Sequence, residues 1–217
     1  MRRLFAGLVV VALLGAVLAA TAGEPVLIVP KTSGAKVKIS GAARQAAAMP
    51  FFVYNNGLVP PVRNFAPSGY MGDVSDLRVM GGYTNLHQEG VACLKVSYAA
   101  GGEMGWAGMV WQNPANNWGE IDGGYNLSQA KRLTFWARGE KGGEVVEFKL
   151  GGMASQHPDS DSVSTGDVVL KNEWTEYTLD LKAANLMYIS AGFGFVLKQE
   201  PNSGGCTFYL DDVRYDE

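Results

Sequence analysis

Tryptophan and amide side chains are concentrated in one uncharged run, GWAGMVWQNPANNWG, at residues 105–119. Three of the five tryptophans, Trp106, Trp111 and Trp118, fall in it. A tryptophan ring offers a flat apolar surface, and an amide offers both a hydrogen-bond donor and an acceptor. A sugar ring presents a C–H face rimmed by hydroxyls, so this combination predicts contact with a neutral glycan. The lack of charge in the run argues against a phosphate or nucleic-acid ligand.

The run contains both a strand and a loop, and the strand cannot present both of its tryptophans to a ligand. Trp106 and Trp111 are an odd number of residues apart, so strand alternation places them on opposite faces. One of them is expected in the core, and the pattern leaves open which. The alternative is that all three tryptophans pack the core and the asparagines form turns. The predicted ligand-binding residues are Trp118, Asn116, Asn117, Gln112, Tyr70, Trp111 and Trp106.

Tyr70 enters that set from a second segment, FAPSGYMGD at residues 65–73. We interpret this segment as a long irregular loop that follows the first strand of the domain. Loops of this length in a compact domain tend to be functional, and Tyr70 is a candidate second stacking platform. The alternative is a loop packed on its own aromatic residues.

The N-terminus predicts export. Arg2 and Arg3 precede an apolar stretch at residues 4–18, and an A-x-A site ends at Ala22, so residues 1–22 are interpreted as a signal peptide cleaved before Gly23. The alternative is an uncleaved anchor. The apolar stretch is short for a membrane span and no later segment suits one, so we expect a secreted or periplasmic protein with no membrane span after cleavage. The net charge is −3 without a basic cluster, which argues against nucleic acid as a partner.

The remaining chain predicts an arm followed by one β domain. Residues 23–50 are interpreted as a linker or arm, with one short strand near residues 37–39 and a marginal helix over 42–48. Residues 51–217 alternate apolar and polar side chains between Gly-, Asn- and Pro-rich turns, which predicts an all-β antiparallel sandwich. The predicted strands are residues 51–54, 91–98, 105–111, 132–138, 145–150, 167–170, 175–180, 192–197 and 207–215.

Two cysteines, Cys93 and Cys206, lie on an early and on the last predicted strand. Export makes a disulfide chemically possible, and the two would be bridged if their strands were neighbours. The alternative is a pair of small buried thiols, since the sequence does not supply the short Cα separation that a disulfide needs.

Three segments carry a family resemblance. They are GYNLSQAKRLTFWARG at residues 124–139, WTEYTLDL at 174–181 and FYLDDVR at 208–214. In order and spacing they resemble strands of jelly-roll carbohydrate-binding modules with the galactose-binding-like fold, over residues 51–215. The resemblance implies a jelly roll that binds a polysaccharide or oligosaccharide without catalysis.

The resemblance also implies one structural calcium ion. An aspartate of the terminal strand usually contributes to it, which here is Asp211 or Asp212. Calcium takes six to eight oxygen ligands, so Asp73, Asn55 and Asn56 are candidates from the N-terminal side. The alternative is that Asp211 caps the backbone or pairs with an arginine.

Catalysis has little support in the sequence. No G-x-S-x-G, H-E-x-x-H or phosphate-loop motif is present, and no motif singles out a pair of carboxylates. We therefore expect a secreted, non-catalytic module that recognises a neutral glycan by aromatic stacking and amide hydrogen bonds, alone or together with envelope proteins or a separate glycan-active enzyme. One alternative is a structural or protein-interaction module of the cell envelope, and a second is a small glycan-active enzyme.

Overall fold

The structure, a computed structural model, describes residues 22–32, 44–55, 64–88 and 90–217. Within these ranges the chain forms strands and one 3-10 turn at Val74–Asp76, and no helix is long and apolar enough to cross a membrane. The strands are β1 (Gly23–Ile28), β2 (Lys31–Thr32), β3 (Phe51–Tyr54), β4 (Ala66–Gly72), β5 (Leu77–Tyr83), β6 (Cys93–Tyr98), β7 (Trp106–Gln112), β8 (Arg132–Gly139), β9 (Val145–Gly151), β10 (Ser162–Val169), β11 (Thr175–Asp180), β12 (Ala191–Lys198) and β13 (Cys206–Asp216).

The strands form two sheets that enclose one main core. The seven-stranded sheet has the order β1-β11-β8-β13-β6-β5, with β3 also paired to β13. The six-stranded sheet has the order β2-β10-β9-β12-β7-β4. Apart from the parallel pair β1 and β11, the described pairs are antiparallel. The predicted all-β antiparallel sandwich is confirmed.

Alternation along the strands builds the core. In β8, Leu133, Phe135 and Ala137 are fully buried, while the alternate residues Trp136 and Arg138 are only partly buried. The Phe135 ring stacks on a tyrosine of β11 and lies 4.5 Å, centroid to centroid, from a phenylalanine of β9 in the opposite sheet. Each strand thus gives one set of side chains to the core and leaves the other set outside.

The terminal strand β13 changes partners along its length. Its first half pairs with β6 and its second half pairs with β3, and the register shifts between Val213 and Arg214. Asp212 has a φ of 45° at this irregularity, a left-handed conformation that short polar residues tolerate better than most others do. Because of this irregularity, β13 pairs with the early strand β3 along one part of its length and with the later strand β6 along another.

The N-terminal arm is more ordered than predicted. Gly23–Ile28 forms β1 at an edge of the seven-stranded sheet, and Lys31–Thr32 pairs with β10 of the other sheet. Residues 44–48 are not helical, and Ala46 forms an isolated bridge with Asn126. The strand expected near residues 37–39 and the signal-peptide residues 1–21 lie outside the described residues.

The interpretation of residues 65–73 as an irregular loop is wrong. Ala66–Gly72 is strand β4, at the edge of the six-stranded sheet beside β7. Pro67 and Gly69 suggested a loop, but an edge strand tolerates proline, and a register shift between these two residues absorbs the irregularity. A further strand, β5, was also not predicted.

The structure decides between the two alternatives left open for Cys93 and Cys206, because both are free thiols and no disulfide links them. Their strands are neighbours as supposed, but Cys206 pairs with Tyr98, which is five residues along β6 from Cys93. At about 3.3 Å per residue this separates the two cysteines by roughly 16 Å. In addition, Cys206 packs against the core, while Cys93 belongs to a separate cluster on the outer side of the sheet.

Candidate functional site

Strand β7 divides the two strand tryptophans as alternation predicts. Trp111 is 2% exposed and packs in the core against Phe193 of β12, with ring centroids 5.7 Å apart. Trp106 is partly exposed and lies on the outer face of the six-stranded sheet. The structure therefore decides which one a ligand can reach. Trp106 can be contacted, whereas the prediction of Trp111 as a ligand-binding residue is wrong, because no part of its ring faces outward.

Glycine residues lie at the centre of the outer face of the six-stranded sheet. Two cross-strand rows run over β4, β7 and β12, and we call this surface the glycine face. It is built from Gly69, Val110 and Gly194 in one row and from Met71, Gly108 and Val196 in the next. Glycine is required at position 108, because a Cβ on Gly108 would lie 2.6 Å from the Phe195 carbonyl oxygen, which is too close for van der Waals contact. The result is an uncharged floor of glycines and apolar side chains.

A loop is anchored at one end of the glycine face. The fully buried Gln112 side chain accepts a hydrogen bond from the Ser68 hydroxyl at 2.9 Å and donates one to the Asn117 carbonyl oxygen at 2.9 Å. The Asn116 backbone N–H donates to the same hydroxyl, also at 2.9 Å. The hydrogen bonds of Gln112 thus fix the loop. Because the side chain is fully buried, a ligand cannot reach it, and its predicted role in ligand contact is wrong.

Asn117 organises the same loop from within. It is 3% exposed, and its Oδ1 accepts hydrogen bonds from the backbone N–H groups of Gly119, Glu120 and Ile121 at 3.0–3.3 Å. Its Nδ2 donates to the Ile121 carbonyl oxygen at 2.9 Å. Because the side chain is buried and holds the loop together, a ligand cannot reach it, so its predicted contact is also wrong.

Trp118 and Asn116 are left on the surface by these anchors. Trp118 is 39% exposed, and Asn116 is exposed with a φ of 58°. At the other end of the face, the Trp106 ring lies against Gly72 of β4. Six residues of β7 separate Trp106 from Gln112, where the loop begins, which is about 20 Å of strand. Two accessible indoles therefore flank the glycine face.

Tyr70 is not part of this face. It is 40% exposed, but its register partner is Met109, whose side chain points into the core. Residues paired across an antiparallel ladder share a face, so Tyr70 projects from the opposite side of β4 to Met71, at the open edge of the sandwich. The structure does not bring Tyr70 together with Trp118.

Charged residues border the glycine face along β9, β10 and the end of β12. Lys198 forms ion pairs with Asp167 at 2.6 Å and with Glu147 at 3.3 Å. The hydrogen bond that the Lys198 ammonium donates to Asp167 is the largest cause that raises the pKa of Lys198 above its ordinary value. The Ser164 hydroxyl also donates to Glu147 at 2.6 Å. These three charges compensate one another. Among the described residues Lys149, the register partner of Gly194 on β9, forms no ion pair, so this border of the face carries one unpaired cation.

The predicted calcium ligands come together only in part, because Asn55 contacts Asp212 while the Asp73 carboxylate has other partners. Asp212 pairs with Arg214 and accepts a hydrogen bond from Asn55 at 2.9 Å, and Asp211 accepts one from the Gln88 N–H at 3.1 Å. Asp73 lies elsewhere, and its carboxylate accepts hydrogen bonds from Met104 and Gly105. Within residues 22–32, 44–55, 64–88 and 90–217, no three acidic, histidine or cysteine side chains form a group that could hold a metal. Asn56 is outside these ranges. The set as named does not fit a calcium ion, and calcium at Asp211 or Asp212 stays a prediction.

Two features of the face were not predicted. Ser68 was assigned to a loop, so its role as the link between β4 and the loop after β7 was missed. The glycine floor left a signal in the sequence, because Gly108 and Gly194 occupy outward positions of strands that were predicted correctly. Glycine inside a strand often marks a place where another chain or ligand approaches closely.

The fold is similar to that of carbohydrate-binding modules. A family 30 carbohydrate-binding module superposes with a TM-score of 0.53 and 14% identity, over 70% of this chain and 95% of that chain. The family 30 module of the cellulosomal cellulase Cel9D-Cel44B of Clostridium thermocellum gives 0.51 and 15%, over 70% and 92%. The family 11 module of the cellulosomal cellulase Lic26A-Cel5E of the same organism gives 0.51 and 11%, over 79% and 96%.

These neighbours are jelly-roll, galactose-binding-like folds, which confirms the resemblance drawn from the sequence motifs at the level of the fold. A comparison with protein-family models finds no match, and neither does a comparison with the curated proteins. At such low identities the likeness to solved structures shows the fold alone, and fold does not fix function.

Proposed function

We propose that this protein is an exported, non-catalytic module that binds a neutral glycan on the glycine face. The observation that carries the proposal is the pair of accessible indoles, Trp106 and Trp118, at the two ends of an uncharged, glycine-floored surface. Stacking of sugar rings on the indoles would supply affinity, and the exposed Asn116 amide would select hydroxyl orientation. The named neighbours, all carbohydrate-binding modules, support the ligand class.

Preorganisation also supports this proposal. Asn117 and Gln112 fix the loop that carries Trp118, and the Gly119 carbonyl oxygen accepts a hydrogen bond from the His157 N–H at 2.7 Å. A side chain held before the ligand arrives loses less conformational entropy on binding, so its contact contributes more to affinity. The partly exposed tryptophans also disfavour a purely structural module, in which all three would be buried.

One observation bears on the alternative that the protein is a glycan-active enzyme. Glu147 and Asp167 are register partners on β9 and β10, and two carboxylates side by side could serve glycoside hydrolysis. Here Lys198 lies between them and forms an ion pair with each. We therefore assign this trio to surface electrostatics and propose no catalysis.

The test is binding to a neutral glycan array and, for any hit, titration calorimetry with Trp118→Ala and Tyr70→Ala. We expect Trp118→Ala to weaken binding at least about tenfold, because central aromatic contacts dominate interfaces of this kind. Tyr70→Ala removes an equally exposed ring that lies off the glycine face, so we expect less than about a twofold change. Failure of the unmodified protein to bind any neutral glycan would overturn the proposal.

A further inference from the structure

The outer face of the seven-stranded sheet carries a second set of aromatic side chains, accompanied by cations. Tyr83 and Tyr209 lie with ring centroids 5.6 Å apart. The Lys95 ammonium is 5.0 Å from the first ring centroid and 5.6 Å from the second. The Arg138 guanidinium is 6.0 Å from the Tyr209 centroid. With the partly exposed Trp136, these residues form what we call the aromatic face.

A cavity of about 640 Å³ adjoins the aromatic face. Its lining includes Arg78, Ser97 and Thr207, which form one cross-strand row over β5, β6 and β13. The next row along the same strands contains Lys95 and Tyr209 of the aromatic face. The Ser97 and Thr207 hydroxyls lie 3.1 Å apart. Rings, hydroxyl groups and a cavity are therefore continuous on one surface.

The carboxylates of this surface already have partners. Glu140 accepts a hydrogen bond from the Tyr209 hydroxyl at 3.2 Å and lies 3.8 Å from the Lys95 ammonium. Asp76 accepts two backbone hydrogen bonds of 2.7 Å from the glycines at positions 101 and 102. Glu144 accepts one from the Lys141 N–H at 2.8 Å.

Three cations of the surface have no such compensation. Within the part of the chain that the structure describes, Arg78, Arg138 and Lys141 form no ion pair with a carboxylate. Arg78 and Lys141 are exposed and line the cavity, and Arg138 is partly buried beside it. With Lys95 the surface carries four cations against the three carboxylates Asp76, Glu140 and Glu144, and among the described residues Lys95 alone of these cations is paired, so three cations are available to pair with an anion.

We propose that this surface is a second binding site, for an acidic oligosaccharide that carries uronate carboxylates. Sugar rings would contact Tyr83 and Trp136, the partly exposed rings of the aromatic face, hydroxyls would contact Ser97 and Thr207, and carboxylates would pair with the two arginines. Arg78 on β5 and Arg138 on β8 are three strand spacings apart, about 14 Å. Two cations so far apart match carboxylates repeated along a chain better than they match one small anion. The inference goes beyond the proposed function, since it concerns the other sheet and a charged ligand.

The test is titration calorimetry of tetragalacturonate into the unmodified protein, Arg78→Gln and Arg138→Gln. Arg132→Gln is the matched control, because Arg132 is an exposed arginine of β8 outside this surface. We expect each of the first two substitutions to weaken binding about tenfold and the control to change it less than about twofold. Galacturonate monomer and inorganic phosphate should bind at least about a hundredfold more weakly than the tetramer.

Three outcomes would overturn the proposal. They are no binding of tetragalacturonate, an equal loss in all three arginine variants, and binding of phosphate as tight as that of the tetramer. Trp118→Ala separates the two sites, because it should leave tetragalacturonate binding intact while it weakens neutral-glycan binding. Arg78→Gln should do the reverse. These measurements can therefore reject the proposal for one of the two binding sites without rejecting the other.

Discussion

The outer faces of the two sheets differ although their inner faces are alike. Inward, both sheets present phenylalanine, leucine and valine to the shared core. Outward, the six-stranded sheet presents Gly69, Gly108 and Gly194, whereas the seven-stranded sheet presents rings and charges such as Trp136 and Arg138. The core constrains only the inward half of each strand, so the outward half is free to specialise. Alternation therefore separates the residues that fold this protein from those that can bind ligands.

The difference has consequences for ligand shape and charge. Glycines lower the surface, so the glycine face can admit a flat, uncharged chain between two indoles. On the aromatic face, cations stand beside electron-rich rings, and this arrangement favours a ligand that combines apolar faces with negative charge. The following experiments test whether inward residues determine stability while outward residues contribute little to it, as their positions in the structure indicate.

The largest expected effect is on the inward side of β7. Trp111→Ala should lower the free energy of unfolding by about 3–5 kcal/mol, because it leaves a cavity among packed rings. Trp106→Ala, five residues before Trp111 on the same strand, removes a ring from the outer face and should cost only about 1 kcal/mol or less. Urea unfolding followed by circular dichroism measures both. Equal losses would contradict the division of β7 into an inward and an outward face.

An intermediate effect is expected in the loop at the end of the glycine face. Asn117→Ala should lower the free energy of unfolding by about 1–3 kcal/mol, since it removes the acceptor of the backbone N–H groups of residues 119–121 and leaves that of the buried Gly119 without a partner. It should also weaken neutral-glycan binding, because Trp118 loses its support. Asn116→Ala is the control and should change stability by less than about 0.5 kcal/mol. Thermal and urea unfolding give the stabilities, and a larger loss in the control would reverse these roles.

The smallest effect concerns the two thiols, one beneath the aromatic face and one at the core. Burial raises the pKa of both Cys93 and Cys206 to about 12. Because the thiolate is the reactive form, alkylation of the native protein near pH 8 should be much slower than that of the protein unfolded in urea. A reductant should leave the melting temperature unchanged. A melting temperature that falls with reductant would show a disulfide and contradict the register of β6 and β13.

Prediction from the sequence was accurate where local pattern and burial agree. Phe51–Tyr54 and Thr175–Asp180 have the predicted bounds, and β8 and β9 differ from prediction by one residue at one end. Edge strands were missed, because β4 and β5 carry glycine and few buried residues, and their pairing depends on a partner distant in sequence. The candidate site was predicted in part, since Trp118, Asn116 and Trp106 are accessible and the buried amides support them.

The sequence by itself determined that this chain forms an antiparallel sandwich, that Trp106 and Trp111 lie on opposite faces of one strand, and that the aromatic and amide residues of 105–119 cluster. These are consequences of local periodicity, which each strand carries alone. Only the tertiary structure decided which tryptophan is buried, that Cys93 and Cys206 are too far apart to bond, and that two chemically different outer faces exist. Those facts depend on sheet order and register, which arise from contacts between segments far apart in the chain.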